Sequence, residues 1–207
     1  MHKINYSIKY VLPVLIAVCV LVAIVGPYIF EGQIIYGSMI SYQFTPVIVN
    51  YFLQLSQGIL GIFNWDFALG FNSLGDSQQS LLHPVTIILA VFSKSPFFIT
   101  THFLIFHYLL LALGSFLLTK QLTSSDQNTA QKGMAALFCA FSLCFSVSVY
   151  ANFVHPFFIA SLAYGTLLFY FVDSFIEMPS KLKVFLITIT TVLMLLVGQF
   201  FIQMLIL

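Results

Sequence analysis

Long apolar runs set the terms on which this chain can fold. The segments 11–30, 97–119, 133–150, 157–172 and 184–207 contain no Asp, Glu or Lys, and the chain has no Arg at all. Several of these runs approach or exceed the ~20 residues that a helix needs to cross a bilayer core. With 60% of the residues hydrophobic and 6% charged, a water-soluble domain could not clothe its surface. The pattern predicts an all-α, polytopic transmembrane helical bundle of about five spanning helices in a single domain.

The first run is too long for the apolar core of a signal peptide and lacks a small-x-small cleavage site, so it reads as an uncleaved anchor. The last run reaches Leu207 with no cap or polar flank, which predicts a chain that continues as a longer membrane protein. Residues 31–96 form the one long polar excursion. Within it, Pro46–Leu60 is amphipathic: Asn50, Gln54 and Gln57 share one helical face, and Ile48, Phe52, Leu55 and Ile59 another. Such a helix can lie on the membrane or pack against the bundle. Leu81–Phe92 is apolar but short for a span, and reads as re-entrant or interfacial.

Lysine placement orients the chain. With five spans, Lys3, Lys9, Lys120, Lys132, Lys181 and Lys183 are cytoplasmic and only Lys94 lies outside. The N-terminus is then cytoplasmic and the 31–96 loop faces outward. A net charge of +1 without arginine offers no footprint for nucleic acid. Cys19, Cys139 and Cys144 lie in apolar runs without zinc-ligand spacing and read as small buried hydrophobes.

The outer loop keeps the residues able to do chemistry. Glu31, Asp66 and Asp76 stand there with no lysine before Ser80. Carboxylates at a membrane surface can bind a metal, act as a general base, or simply solvate the loop. His83 precedes Pro84, which biases it towards an extended backbone at the mouth of the short apolar run. It can titrate or ligate, or serve as a hydrogen-bonded boundary residue. His102 and His107 are five positions apart and do not share a helical face, so they make no His–His metal site. His155-Pro156 reads as turn punctuation. Asp173, Glu177, Lys181 and Lys183 read as a solvated polar loop over 173–183. In the last run Thr188, Thr191, Gln199 and Gln203 share an arc of about 120°, suited to interhelical hydrogen bonds or to the wall of a polar cavity.

The order of these features resembles a known family. A first span leads to an outer loop with "YGSMISYQFTP", then "NWDFALGFNSLGDSQQSLLHPVTIILAVF", then a lysine-ended span, with "FVDSFIEM" after the fourth span. This is similar to the bacterial YfhO family of large membrane proteins, which is related to the GT-C glycosyltransferases. The resemblance implies a GT-C-like fold in a bacterial cell membrane. It also implies transfer of a sugar from a polyprenyl-phosphate donor to a cell-envelope polymer. In such enzymes the first outer loop carries the catalytic acid, sometimes with a divalent metal ion. By that likeness Asp76 and then Asp66 become the catalytic candidates, and His83, Gln78, Gln43 and Ser38 the donor-binding ones. One departure stands out: the family's Gly-Asp near the start of the loop is matched here by Gly37-Ser38, and a serine cannot be that base or ligand at neutral pH. Two rival expectations therefore stand beside the enzyme: a transporter or flippase of the lipid-linked sugar, and an inactive truncated form.

Overall fold

The computed structural model describes residues 26–27, 45–58, 63–64, 71–72, 80–93, 95–123, 129–146 and 156–197. Among these, six helices carry the architecture: α1 (Thr45–Ser56), α2 (Pro84–Phe92), α3 (Pro96–Leu122), α4 (Thr129–Cys144), α5 (Pro156–Glu177) and α6 (Lys181–Val197). The extended structure is a two-residue antiparallel ladder, β1 (Phe63–Asn64) against β2 (Phe71–Asn72), with Phe63 opposite Asn72. The described fold is all-helical apart from this ladder.

Proline marks where the helices begin. Pro84, Pro96 and Pro156 each take the first helical position, where the missing N–H costs nothing and the fixed φ is already helical. His83 and Ser95 cap the first two starts: His83 Nδ1 accepts from Val85 N at 3.3 Å, and Ser95 Oγ from Phe98 N at 3.4 Å. Ser180 caps α6 in the same way, accepting from Lys183 N at 3.3 Å.

Helices α3 and α5 form the centre and run parallel. Gln121 and Glu177, at their last turns, are hydrogen-bonded at 2.6 Å. Midway along this seam Gly114 lets the backbones close in. A methyl group there would overlap Thr166 Oγ1 and lie 3.3 Å from Leu167 N. Helices that associate in lipid gain little from hydrophobic burial, so such close van der Waals approach at a small residue is what holds them together. Helix α4 runs antiparallel to α3, and its end is fixed where Tyr108 Oη donates to the Cys144 carbonyl at 3.1 Å. A core of Val47, Ile48, Tyr51, Leu81, Ile99, Phe103, Ala160, Tyr164, Met194 and Val197 joins α1, α3, α5 and α6.

Two of these helices, α3 with 27 residues and α5 with 22, are long and apolar enough to cross a bilayer. The exterior suits that medium. Val91 is 81% exposed, Phe92 77%, Phe138 73% and Ile176 73%, so outward faces of α2, α4 and α5 are greasy where a water-soluble bundle would be polar.

Several expectations change against this frame. The helices on either side of the 120–132 and 173–183 loops extend into them: α3 runs to Leu122 and α5 through Asp173 to Glu177. Loss of hydropathy does not end a helix when helix-forming residues continue past the bilayer. Residues 45–56 pack on the bundle, with Val47 and Ile48 fully buried. Cys139 is exposed rather than buried, whereas Cys144 is buried. Thr188 and Thr191 are exposed and donate back to the carbonyls of Val184 and Ile187 on their own helix, rather than to a neighbouring helix. Gln199, Gln203 and most of the first span lie outside the described residues.

Candidate functional site: a buried His–Tyr–His chain

The most concentrated polar chemistry among the described residues lies inside the bundle. Ser80 begins it, with a left-handed φ of 52° that is unusual for a residue with a side chain. The turn closes when His83 N–H donates to the Ser80 carbonyl at 3.1 Å, and this carries the His83 ring into the core. His83 and His107 are both 0% exposed and Tyr164 is 3% exposed.

Hydrogen-bond partners fix the ring tautomers. Val85 N–H donates to His83 Nδ1, so the His83 proton sits on Nε2, which donates to Tyr164 Oη at 3.0 Å. The His107 Nδ1–H donates to the Phe103 carbonyl at 2.7 Å, which leaves His107 Nε2 to accept from Tyr164 Oη at 3.2 Å. The chain therefore runs one way, from Val85 through His83, Tyr164 and His107 to Phe103. Every ring nitrogen is satisfied, and both imidazoles are neutral, as a buried site with no counter-charge among the described residues demands. Aromatic edges brace the set: Phe103 lies 4.1 Å from His107 and 5.4 Å from His83, centroid to centroid.

The chain also sets the depth of the 80–92 segment. His107 is eleven residues into α3, about 16 Å from its start at 1.5 Å per residue. Helix α2 climbs back from His83 to Phe92 over about 14 Å and reaches the start of α3 through Ser93–Ser95. Helices α2 and α3 thus make a hairpin that turns at Ser93–Ser95, and the buried far end of its short arm, His83, lies near the middle of α3. The end of α4 at Cys144 meets α3 at the adjacent residue, Tyr108. Two helix ends are thereby brought to the same level inside the bundle.

Of the residues expected to form a site, His83 is described, and it presents no free ring nitrogen to a bound donor. Asp76, Asp66, Gln78, Gln43 and Ser38 lie outside the described residues. His102 keeps apart from His107, stacked on Phe98 at 3.9 Å with Nδ1 against the Phe98 carbonyl. Among the described residues no group of three or more His, Cys, Asp or Glu converges on a metal position. Sequence reasoning missed Tyr164 and the pairing of His83 with His107. Separations of 81 and 57 residues leave no periodic trace. The one available signal was a His and a Tyr inside otherwise apolar spans, where polar groups need partners.

The fold and site define a class: an all-helical bundle with a lipid-compatible exterior and a neutral, fully bonded polar chain at its centre. No family model, curated protein or solved structure matches the chain.

Proposed function

We propose that this chain is the N-terminal part of a multi-pass protein of a bacterial cell membrane, transferring a sugar from a polyprenyl-phosphate donor to a cell-envelope polymer. The observation that carries the reading is the anchoring of the outer loop. His83, seven residues after Asp76, is bonded into the bundle through Tyr164 and His107. Seven residues span at most about 25 Å, so Asp76 is tethered to a fixed point among the membrane helices. Asp66 falls in sequence between the two strands of the β1–β2 ladder, whose pairing brings Asn64 beside Phe71.

In this reading Asp76, supported by Asp66, takes the proton from an acceptor hydroxyl, which attacks the sugar carbon as the polyprenyl phosphate leaves. Gln78, Gln43 and Ser38 bind the donor, and His83 acts through the loop as a positioning residue. Lys120, Lys181 and Lys183 lie at the end of the bundle where α3 and α5 finish, with Lys132 in the first turn of α4. That asymmetry supports a cytoplasmic N-terminus and an outward-facing 31–96 loop.

The experiment supplies a labelled polyprenyl-phosphate sugar to the purified protein. Asp76→Asn keeps the side-chain shape but cannot take a proton, and it abolishes transfer without lowering expression. Full transfer in both Asp76→Asn and Asp66→Asn removes the loop from the mechanism. One observation favours a transporter of the lipid-linked sugar instead: the ends of α2 and α4 meet α3 at mid-length, and interrupted helices at that depth are how many transporters build their sites. Movement of the labelled lipid across vesicles without transfer would decide for it.

A further inference from the structure

Hydroxyls in this bundle commonly turn back onto their own helix. Thr100 donates to Pro96 O at 2.9 Å, Ser115 to Leu111 O at 2.7 Å and Thr166 to Ala163 O at 2.9 Å. This is how Ser and Thr settle in an apolar helix. Ser80, Thr86 and Ser161 do otherwise. They are 0%, 0% and 2% exposed, and none of their side-chain oxygens has a hydrogen-bond partner.

The three lie within three residues of His83 or Tyr164 in the sequence. Ser80 opens the turn that delivers His83. Thr86 follows His83 by three residues on α2, and Ser161 precedes Tyr164 by three on α5, so each shares a helical face with its partner in the chain. Helix α5 runs parallel to α3 and α2 runs against it. Thr86 and Ser161 are therefore both displaced one helical turn from the His83–Tyr164 bond, towards the same end of the bundle. Tyr164 Oη accepts one bond and donates one, which leaves it a second lone pair. None of these groups carries a charge, and buried polar groups of this kind are costly unless something bonds to them.

We propose that Ser80, Thr86 and Ser161, with the spare lone pair of Tyr164, bind ordered water beside the His83–Tyr164 bond. Water fits because the set is uncharged and each hydroxyl both donates and accepts, while a buried water needs two to four polar partners. The site hydrates the His–Tyr–His chain from its Thr86–Ser161 side and gives its protons a route of exchange that the closed protein chain lacks. It stands whichever chemistry the outer loop performs.

The sign of a stability change tests the proposal. Thr86→Val and Ser161→Ala, in protein purified in detergent, each remove a hydroxyl and little else. If the oxygens hold water, each variant lowers the Tm by about 2–4 °C, and Thr86→Ser keeps most of the wild-type value. If the oxygens sit dry, their loss leaves the Tm unchanged or raises it, and the proposal fails. X-ray hydroxyl-radical footprinting of the unmodified protein tests the same point without any variant. Tyr164 (3% exposed) should be oxidised well above the comparably buried Tyr108 (6% exposed). Equal protection of the two tyrosines overturns the hydration site.

Discussion

Replacing Tyr164 by Phe removes one oxygen and tests whether the buried chain holds the 80–92 segment in the bundle. The hydroxyl makes two bonds, at 3.0 Å to His83 and 3.2 Å to His107. Without it, His83 Nε2–H loses its acceptor and His107 Nε2 loses its donor, both in a site closed to bulk solvent. Each buried group left unsatisfied costs about 1–3 kcal/mol in a soluble core. Hydrogen bonds between membrane helices average about 0.6 kcal/mol and reach about 1.7. Two such losses therefore come to about 1–4 kcal/mol, or roughly 3–12 °C in Tm for a protein of this size. The assay is a thermal melt in detergent, read by fluorescence or by the monodisperse fraction on gel filtration. Gln121→Ala serves as control, since it breaks an exposed bond to Glu177 and should cost under about 0.5 kcal/mol. In a double-mutant cycle, Tyr164→Phe and His107→Leu should be non-additive because they remove the same bond. A Tyr164→Phe variant that melts within about 1 °C of the wild type, by the conversion used here, would refute the reasoning: the chain would then be incidental to the placement of the 80–92 segment.

Further expectations follow from packing and from charge. Gly114→Ala should destabilise the bundle by about 1–3 kcal/mol, because the new methyl overlaps Thr166 Oγ1; adding Thr166→Ala should recover part of the loss, and an unaltered melt for Gly114→Ala would disprove the close seam. Gly114→Leu should prevent a folded product, seen as loss of the monodisperse peak. For topology, a cysteine placed at Ser73 should react with an impermeant thiol reagent from outside the cell and one at Ser125 should not, and the reverse pattern would invert the proposed orientation.

Composition and periodicity reach some features of this protein and not others. Runs without Asp, Glu or Lys dictate helices in an apolar medium, because only a helix satisfies its own backbone there. Proline spacing is equally legible. His83-Pro84, Ser95-Pro96 and His155-Pro156 mark three helix starts, since proline fixes φ and donates nothing wherever it stands. Helix ends are less readable. The α5 helix continues through Asp173 to Glu177 because charge alone does not stop a helix. Three-dimensional packing decides the rest. Whether 45–56 lies on the membrane or on the bundle depends on a partner surface, which α3 supplies to Val47 and Ile48. The depth of the short 84–92 helix depends on what meets its capping residue, His83, and that is set by Tyr164, 81 positions further on. Apolar patterning specifies which face a helix buries. Only the assembled bundle specifies which polar group waits on the other side, because a hydrogen bond between distant segments leaves no period in the sequence.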